Sequence, residues 1–400
     1  MKISGIICEY NPFHNGHLHH INETRKNGAT HIVAVMSGNF VQRGDVAVMD
    51  KIERAKLAVR SGVDLVIELP VQYCLSSAEN FATGAVWLLN SLGVVQEISF
   101  GSECGDITKL YNAVKTIQSV SVSHYDEIIN IMEKGYTYPK ALSSVINDID
   151  SQSAVIVAEP NNLLAIEYIK SIMRFSSKMK PFTVKRNGTP HDSHEPCENI
   201  TSASDIRKRI ISENSIQSAD SFMPELWSNV LNTAMNNGNI ASIDRLERIL
   251  LYKLRTSSPE ELSLINDIGQ GLEYRIYNAR NSCSLEELFN SIKTKRYTMA
   301  RIRRIMLSLL IGIKKDDMKN LPPFSRILAF NERGREILAQ AKGKADIPYG
   351  TSIAKLSNMS ETAGRFADLE MRASDVYGLS LETVTSAQKE YRAKIMIDME

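Results

Sequence analysis

The chain has 400 residues, a formal net charge of +1 and 43% hydrophobic residues, an ordinary composition for a soluble globular protein. The length predicts two domains, and the near-zero net charge gives no argument for or against a nucleic-acid partner. No apolar run is long enough to cross a bilayer, and no charged-then-apolar secretory start is present, so we expect a cytoplasmic protein that does not contact a membrane.

The first predicted element is a strand at residues 3–8, which leads into the sequence N-P-F-H-N-G-H at residues 11–17. This order of strand, turn and helix start is typical of an α/β domain. His14 and His17 would share one face of the first helical turn, where backbone N–H groups favour an anion. Gly16 lets a flat base or a phosphate approach the backbone. The pattern therefore predicts a triphosphate site.

Two alternatives to that interpretation come from the same residues. The histidines could merely cap and solvate a helix start. Together with His19 and His20 they could also bind a metal, but no cluster of cysteines or carboxylates lies nearby at ligand spacing. We therefore predict no protein-bound metal, apart from Mg²⁺ that accompanies the phosphates.

Further strands and helices alternate along the N-terminal half. Strands are predicted at residues 31–36, 65–68 and 97–100, and helices at 51–60, capped by Asp50, and from Ser76 or Ser77 to residue 92. This rhythm predicts a doubly wound parallel sheet with ligands at the carboxyl ends of its strands. The turns at residues 9–17, 37–43, 68–70 and 101–103 all fall there.

The remainder of the chain shows helical segments only. We expect a catalytic domain at residues 1–215 and an α-helical domain at residues 216–400. In the second domain, residues 299–313 have helical periodicity with cations on one face, which suits a phosphate backbone or a simple solvated surface. The cations of this stretch are Lys293, Lys295, Arg296, Arg301, Arg303, Arg304, Lys314 and Lys315.

The five cysteines are Cys8, Cys74, Cys104, Cys197 and Cys283, and they form neither a disulfide framework nor a C-x-x-C site. Their scatter indicates a reducing compartment. Cys8 ends the first strand and is interpreted as a small buried residue, because nothing nearby would make it a thiolate.

The H-x-G-H pattern resembles the HIGH motif of nucleotidylyl transferases, and longer blocks resemble the bacterial tRNA(Met) cytidine acetate ligases. Those blocks are GIICEYNPFHNGH at 5–17, MSGNFVQRG at 36–44, GVDLVIELP at 62–70, FGSE at 100–103 and PNN at 160–162. They cover the N-terminal domain in order, whereas the C-terminal half resembles the family mainly in layout. The resemblance implies that ATP and acetate form acetyl-adenylate and pyrophosphate. The acetyl group would then pass to N4 of the wobble cytidine, position 34 of elongator tRNA(Met).

The resemblance also implies roles for individual residues. His14 and His17 would stabilise the α-phosphate. The sequence ITSASDIR at 200–207 resembles the second signature of the superfamily, with Ser202 and Arg207 on the phosphates; its bland alternative is a helix cap with a surface arginine. The implied ATP-binding residues are Ile7, Cys8, Glu9, Tyr10, Asn11, Pro12, Phe13, His14, Asn15, Gly16, His17, Leu18, His19, His20, Gly101, Asn161, Asn162 and Arg186.

Polar loop residues Asn39, Gln42 and Arg43 are candidates for the acetate pocket or the incoming base. The expected tRNA-binding residues are Lys51, Arg54, Lys293, Lys295, Arg296, Arg301, Arg303, Arg304 and Lys315. Asp50 is read as a helix cap, and Glu68 as a carboxylate that could simply be buried and paired. No obligate protein partner is implied.

Two other functions stay open at this stage. A cofactor adenylyltransferase would share the nucleotide motif, but those enzymes are usually compact single domains. A non-catalytic RNA-binding protein could retain the fold, although both halves of the nucleotide signature are intact here. Dependence of pyrophosphate exchange on acetate separates the ligase from both.

Overall fold

A computed structural model describes residues 1–186, 201–213, 215–269, 271–393 and 396–397, so Cys197 and Ile200 lie outside the described residues. The strands of the described chain are β1 (Ile3–Cys8), β2 (His31–Ser37), β3 (Phe40–Val41), β4 (Asp45–Val46), β5 (Leu65–Leu69), β6 (Glu97–Ser102), β7 (Lys180–Lys185), β8 (Ser325–Phe330), β9 (Tyr349–Gly350) and β10 (Met396–Ile397).

The helices surround these strands. They are α1 (Asn15–Lys26), α2 (Lys51–Arg60), α3 (Val71–Cys74), α4 (Ala78–Ser91), α5 (Ile107–Ser123), α6 (Tyr125–Glu133), α7 (Tyr138–Ile149), α8 (Ser151–Ala158), α9 (Pro160–Arg174), α10 (Ala203–Glu213), α11 (Glu225–Asn236), α12 (Glu247–Arg255), α13 (Pro259–Ser263), α14 (Leu272–Asn278), α15 (Leu285–Ile292), α16 (Met299–Ile311), α17 (Glu332–Ala341), α18 (Ile353–Ser357), α19 (Glu361–Gly378) and α20 (Lys389–Arg392).

The helix ends follow the capping signals in the sequence. Asp50 caps α2 by accepting the Ile52 N–H at 2.9 Å, and Ser77 caps α4 by accepting the Asn80 N–H at 3.3 Å. Helix α16 ends at Gly312, whose φ of 85° lies in the left-handed region that glycine adopts without strain. The predicted helices at 51–60, 78–91 and 299–311 are therefore confirmed to within a few residues.

The main sheet has the order β10-β8-β5-β2-β1-β6-β7, with β9 beside β8. Strands β5, β2, β1, β6 and β7 are all parallel, which confirms the doubly wound parallel sheet. Strand β1 is the middle one of these five parallel strands. The loop that follows it therefore emerges at the centre of their carboxyl edge. That position is where open α/β sheets bind their ligands.

The expectation that strands are absent after residue 216 is wrong. Strand β8 pairs antiparallel with β5, and β10 and β9 pair parallel with β8. The chain therefore returns from the helical region to complete the same sheet. The predicted boundary between residues 215 and 216 does not separate the sheet from the helices. The division into two domains at this point stays a prediction.

Side-chain alternation builds a core on each face of the sheet. On β2, Val33 and Val35 join one core with residues of α4 and α9, whereas Ile32, Ala34 and Met36 join the other with residues of α1 and α2. Successive side chains of a strand point to opposite faces, and helices cover both faces here.

A third core lies among helices α12 to α16 and α19, and it also contains Phe40 and Val46. These two residues belong to the small hairpin of β3 and β4, which follows the end of β2. The hairpin therefore joins the carboxyl edge of the sheet to the helical region.

Candidate active site

The two histidines of the H-x-G-H motif shape the start of α1. His14 is the N-cap, and its Nδ1 accepts the Gly16 N–H at 3.1 Å. The Nδ1 of His17 accepts the His14 N–H at 3.2 Å, and the two rings stack with centroids 3.8 Å apart. The imidazoles thus accept hydrogen bonds from two backbone N–H groups of the segment that the sequence pattern predicted to bind a triphosphate.

Burial keeps both imidazoles uncharged. It lowers the pKa of His14 to about 3 and that of His17 well below its usual value, and the nearby Arg186 lowers both further. In a neutral ring whose Nδ1 accepts a hydrogen bond, the proton is on Nε2. Each histidine therefore presents an Nε2–H donor, which can bind an oxygen of a phosphate without adding a charge.

Aromatic rings form a firm base for this segment. Tyr10, which has a φ of 47°, packs against Phe13 and His17 with centroid distances of 4.8 and 5.0 Å. Trp227 of α11 stacks on Phe13 at 5.0 Å and 11°. Sequence reasoning missed Trp227, because it lies more than 200 residues away in a region interpreted only as helical.

Several other residues of the 7–20 segment have supporting positions inside the protein. Asn11 uses its side chain on the neighbouring loop, accepting the Val48 N–H at 2.8 Å. His20 contacts the Ser99 hydroxyl of β6 at 2.9 Å. Burial raises the pKa of the Cys8 thiol, which agrees with its interpretation as an inert buried residue.

Arg54 lies inside the protein and not on a tRNA-binding surface. Its side chain is fully buried, and its guanidinium donates to the carbonyls of Glu9, Ser37, Gly38 and Met49. The expected tRNA contact is therefore wrong for the described conformation. Arg54 instead fixes the ends of β1 and β2 relative to each other.

Lys51 is also wrongly assigned to tRNA, because it is 1% exposed and surrounded by carboxylates. Its Nζ lies 2.5 Å from Glu68 Oε1, 2.9 Å from Glu390 Oε1 and 3.4 Å from Glu370 Oε2. Arg326 completes this buried charge cluster, 3.0 Å from Glu68 Oε2.

Burial and the charge of Glu68 raise the pKa of Glu370 to about 8. This shift favours the neutral form of Glu370, which leaves the two cations Lys51 and Arg326 opposite Glu68 and Glu390. The cluster joins α2, β5, β8, α19 and α20. It is therefore a structural junction. This agrees with the interpretation of Glu68 as a carboxylate that is simply buried and paired.

The candidate acetate or base residues lie in different surroundings. Asn39 is 3% exposed and accepts the Lys51 N–H at 2.7 Å, so it supports the start of α2. Gln42 is half-buried, and Arg43 is exposed. Of the three, Gln42 and Arg43 are accessible to solvent.

On the other side of β1, Glu103 ties two loops together. One oxygen accepts the Asn161 N–H at 3.2 Å, and the other accepts the Asn162 N–H at 2.7 Å. Asn162 is 2% exposed and accepts the Cys104 N–H at 3.1 Å. A Cβ on Gly101 would come within 3.3 Å of Arg186 Cγ, so this glycine makes room for the arginine stem.

The second signature lies against the first. Ser202 caps α10 by accepting the Asp205 N–H at 3.1 Å, and its hydroxyl lies 3.4 Å from that of Ser204. Arg207 donates from Nη1 to the Asn11 carbonyl at 2.7 Å. The structure thus brings Ser202 and Arg207 to the same edge as the histidines.

The basic helix α16 packs against the hairpin loop instead of presenting all its cations to solvent. Arg304 is 8% exposed and donates to the Gln42 carbonyl at 3.1 Å, so its expected surface position is wrong. Arg301 lies 3.1 Å from Asp267 Oδ1. At Gly44, with a φ of 73°, a Cβ would come within 2.6 Å of Arg303 Cβ.

The remaining cations of this region are open to solvent. Lys293, Lys295, Lys314 and Lys315 are exposed, and Arg296 is half-buried beside Tyr297, with 5.8 Å from its guanidinium carbon to the ring centroid. The region therefore retains a basic surface, although it is smaller than the sequence suggested.

The described residues contain no group of three or more His, Cys, Asp or Glu residues that could hold a metal ion. None of their helices is both long enough and apolar enough to cross a membrane.

Comparisons with known proteins agree with this geometry. The HIGH Nucleotidyl Transferase family model matches residues 1–392. The tRNA(Met) cytidine acetate ligase of Thermoanaerobacter sp. (strain X514) is 39% identical over 97% of both chains. That of Alkaliphilus metalliredigens (strain QYMF) is 37% identical over 96% of this chain and 95% of its own.

Solved structures give the same relation. The crystal structure of Thermotoga maritima TmcAL without ligand superposes with a TM-score of 0.94 and 29% identity over the whole of both chains. The same protein bound to alpha-thio ATP superposes with a TM-score of 0.92. This chain therefore belongs to the tRNA(Met) cytidine acetate ligase family of HIGH nucleotidyl transferases.

Proposed function

We propose that this protein is an ATP-dependent ligase that acetylates N4 of the wobble cytidine, position 34 of elongator tRNA(Met). The observation that carries the proposal is the stacked, uncharged histidine pair at the centre of the sheet's carboxyl edge. Family membership along nearly the whole chain supports the choice of substrates. Two half-reactions follow.

In the first half-reaction, a carboxylate oxygen of acetate attacks the α-phosphorus of ATP. The bond between that phosphorus and the oxygen bridging to the β-phosphate breaks, and pyrophosphate leaves with its electron pair. The Nε2–H groups of His14 and His17 would donate to phosphate oxygens as negative charge builds up. Arg186, Arg207 and the hydroxyl of Ser202 lie at the same edge and would bind the outer phosphates.

In the second half-reaction, the amine N4 of cytidine attacks the acetyl carbon of acetyl-adenylate, and AMP leaves. Gln42 and Arg43 lie on the loop that joins this edge to the helical region. They would line the pocket for acetate or the incoming base. Asn39 would act indirectly, by holding the end of this loop against α2.

The tRNA would lie across the exposed basic surface. Its contacts would come mainly from Lys293, Lys295 and Lys315, with Arg296, Arg301 and Arg303 at the margin toward the hairpin loop. Lysines on a solvent-facing surface suit a phosphate backbone, because binding releases counterions.

Mg²⁺ would enter with the ATP phosphates. The described residues offer no all-protein cage for a metal, and Mg²⁺ commonly keeps several waters while it binds substrate phosphates. Because its substrate would be a tRNA, the protein would act in the cytoplasm. It would need no obligate protein partner.

Acetate-dependent exchange of labelled pyrophosphate into ATP tests the proposal. We expect exchange with acetate, none without it, and no requirement for tRNA. Exchange that needs a phosphorylated small molecule instead would indicate a cofactor adenylyltransferase. Absence of any exchange would indicate a non-catalytic RNA-binding protein. If exchange does depend on acetate, nucleoside analysis of tRNA(Met) treated with the protein should show N4-acetylcytidine.

A further inference from the structure

Glu9 lies at the point where the two loops of the candidate site meet. It is the first residue after β1, and it is half-buried. Arg54 fixes its backbone by donating to its carbonyl. The side chain therefore projects from a rigid position, only five residues before His14.

The carboxylate of Glu9 is only half used by the protein. One oxygen accepts the Gln42 N–H at 2.7 Å. In the part of the chain that the structure describes, the second oxygen accepts no hydrogen bond, and the residue is only half-buried.

Two other carboxylates at this edge, those of Glu103 and Glu68, are committed to the protein. Both oxygens of Glu103 accept backbone N–H groups at the start of α9. Both oxygens of Glu68 face the buried cations Lys51 and Arg326. Glu9 differs from these in having one oxygen for a ligand.

We propose that Glu9 is a further catalytic residue, whose free oxygen binds the N4 amine of cytidine and takes its proton during acetyl transfer. This inference rests on the proposed function. A carboxylate accepts from the cytosine amine but is repelled by the O4 carbonyl of uracil, so the same atom would also favour cytidine.

The step balances in atoms and charge. The N4 lone pair forms a bond to the acetyl carbon of acetyl-adenylate, and the bond from that carbon to the adenylate oxygen breaks. AMP leaves with the electron pair, while one N4 proton passes to the Glu9 carboxylate. Water removes that proton after the products leave.

The surroundings of Glu9 favour uptake of a proton by its carboxylate. Burial raises the pKa of its carboxyl, and this effect is opposed by the Gln42 N–H and by Arg207, Arg43 and Arg54. A raised pKa makes a carboxylate a better proton acceptor. Transfer should therefore be lost as pH falls through this raised pKa.

No other group facing Glu9 should titrate in that range. An arginine guanidinium is not deprotonated in proteins. Burial raises the pKa of each neutral neighbour, which keeps it protonated; these neighbours are Cys8, Cys74 and Tyr168. An acid limb in the transfer rate would thus report on Glu9.

The test compares the two half-reactions in a Glu9→Gln variant of the full-length protein. Glutamine retains an oxygen for the Gln42 N–H but cannot take a proton. We expect single-turnover transfer from preformed acetyl-adenylate to tRNA to fall about 100- to 10,000-fold. Acetate-dependent pyrophosphate exchange should fall at least tenfold less. The acid limb of transfer should disappear.

Asp45→Asn is the matched control, because Asp45 is half-buried and also interacts with Arg207. It should affect the two half-reactions equally. An equal loss of both in Glu9→Gln would assign Glu9 to supporting ATP, and a retained acid limb would exclude it as the base. A wild-type protein without acetate-dependent exchange would overturn the proposed function itself, and this inference with it.

Discussion

The cations at the start of α2 and those around α16 have similar sequence patterns but opposite surroundings. Lys51 and Arg54 are buried, and their partners are carboxylates or backbone carbonyls. Lys293, Lys295 and Lys315 are exposed. Arg304 belongs to α16 and yet resembles the first group, because it is buried against the Gln42 carbonyl.

The difference shows that a cation's position relative to the carboxyl edge decides its role. Each parallel strand ends there with carbonyl groups that lack a partner in the sheet, and a guanidinium such as that of Arg54 can satisfy several of them at once. A lysine on an outer helix has only water to replace, so it stays available to a phosphate.

The largest effect should come from breaking the interior group. Lys51→Met would leave Glu68, Glu370 and Glu390 without their central cation. Removing one partner of a buried ion pair costs about 3–5 kcal/mol, and we expect the free energy of unfolding to fall by that order. Urea unfolding at pH 7 measures it. Lys293→Met is the matched control and should leave the unfolding midpoint unchanged; equal midpoints for both variants would contradict the comparison.

The histidine pair contrasts with both groups of cations, since it is buried and yet belongs to the proposed ATP site. His17→Ala should reduce acetate-dependent pyrophosphate exchange about 100- to 1,000-fold, because one oriented donor to the developing charge is lost. The same loss is expected for His14→Ala and for His14→Asn, which retains a capping acceptor for α1 but not the Nε2–H donor. Near-normal exchange in these variants would remove the histidines from the mechanism.

Acid should weaken the histidine region of the protein. Burial, followed by the charge of Arg186, lowers the pKa of His20 to about 4. A histidine with a lowered pKa stabilises the fold above its unfolded value of about 6.5, and this stability is lost as pH falls toward the folded value.

His20→Asn should therefore make the loss of unfolding free energy between about pH 6 and 4 less steep, by at most about 1.4 kcal/mol per pH unit. Asparagine can retain a contact with Ser99. Urea midpoints at several pH values measure the slope. Identical slopes for the variant and the wild type would show that folding does not lower the pKa of His20.

The smallest effect per residue should come from the surface group. Neutralising Lys293, Lys295 and Lys315 to Gln should weaken tRNA binding, and each lost phosphate contact should reduce the salt slope by about 0.7 to 0.9. Acetyl-adenylate formation without tRNA should continue. A salt titration of tRNA affinity checks this; an unchanged slope would place the RNA elsewhere, with the exposed Arg43 as the next candidate.

Local signals predicted much of the fold and of the nucleotide site. The parallel strands before residue 103, the caps Asp50 and Ser77, and the position of the histidines at the end of β1 are confirmed. These features depend on neighbours a few residues apart, such as apolar runs, capping hydroxyls and glycine turns. Strand β8 was missed because its pairing with β5 joins residues about 260 positions apart.

The sequence by itself determined which elements form and which end of the sheet carries the chemistry, because periodicity and chain order decide both. Only the tertiary structure decided which polar groups remain for a ligand. The exposure of a charge depends on partners brought from distant segments, as when Glu390 reaches Lys51 or Arg304 reaches Gln42. For the same reason Glu9, with one oxygen held by a neighbouring loop and one left free, became visible only in the folded chain.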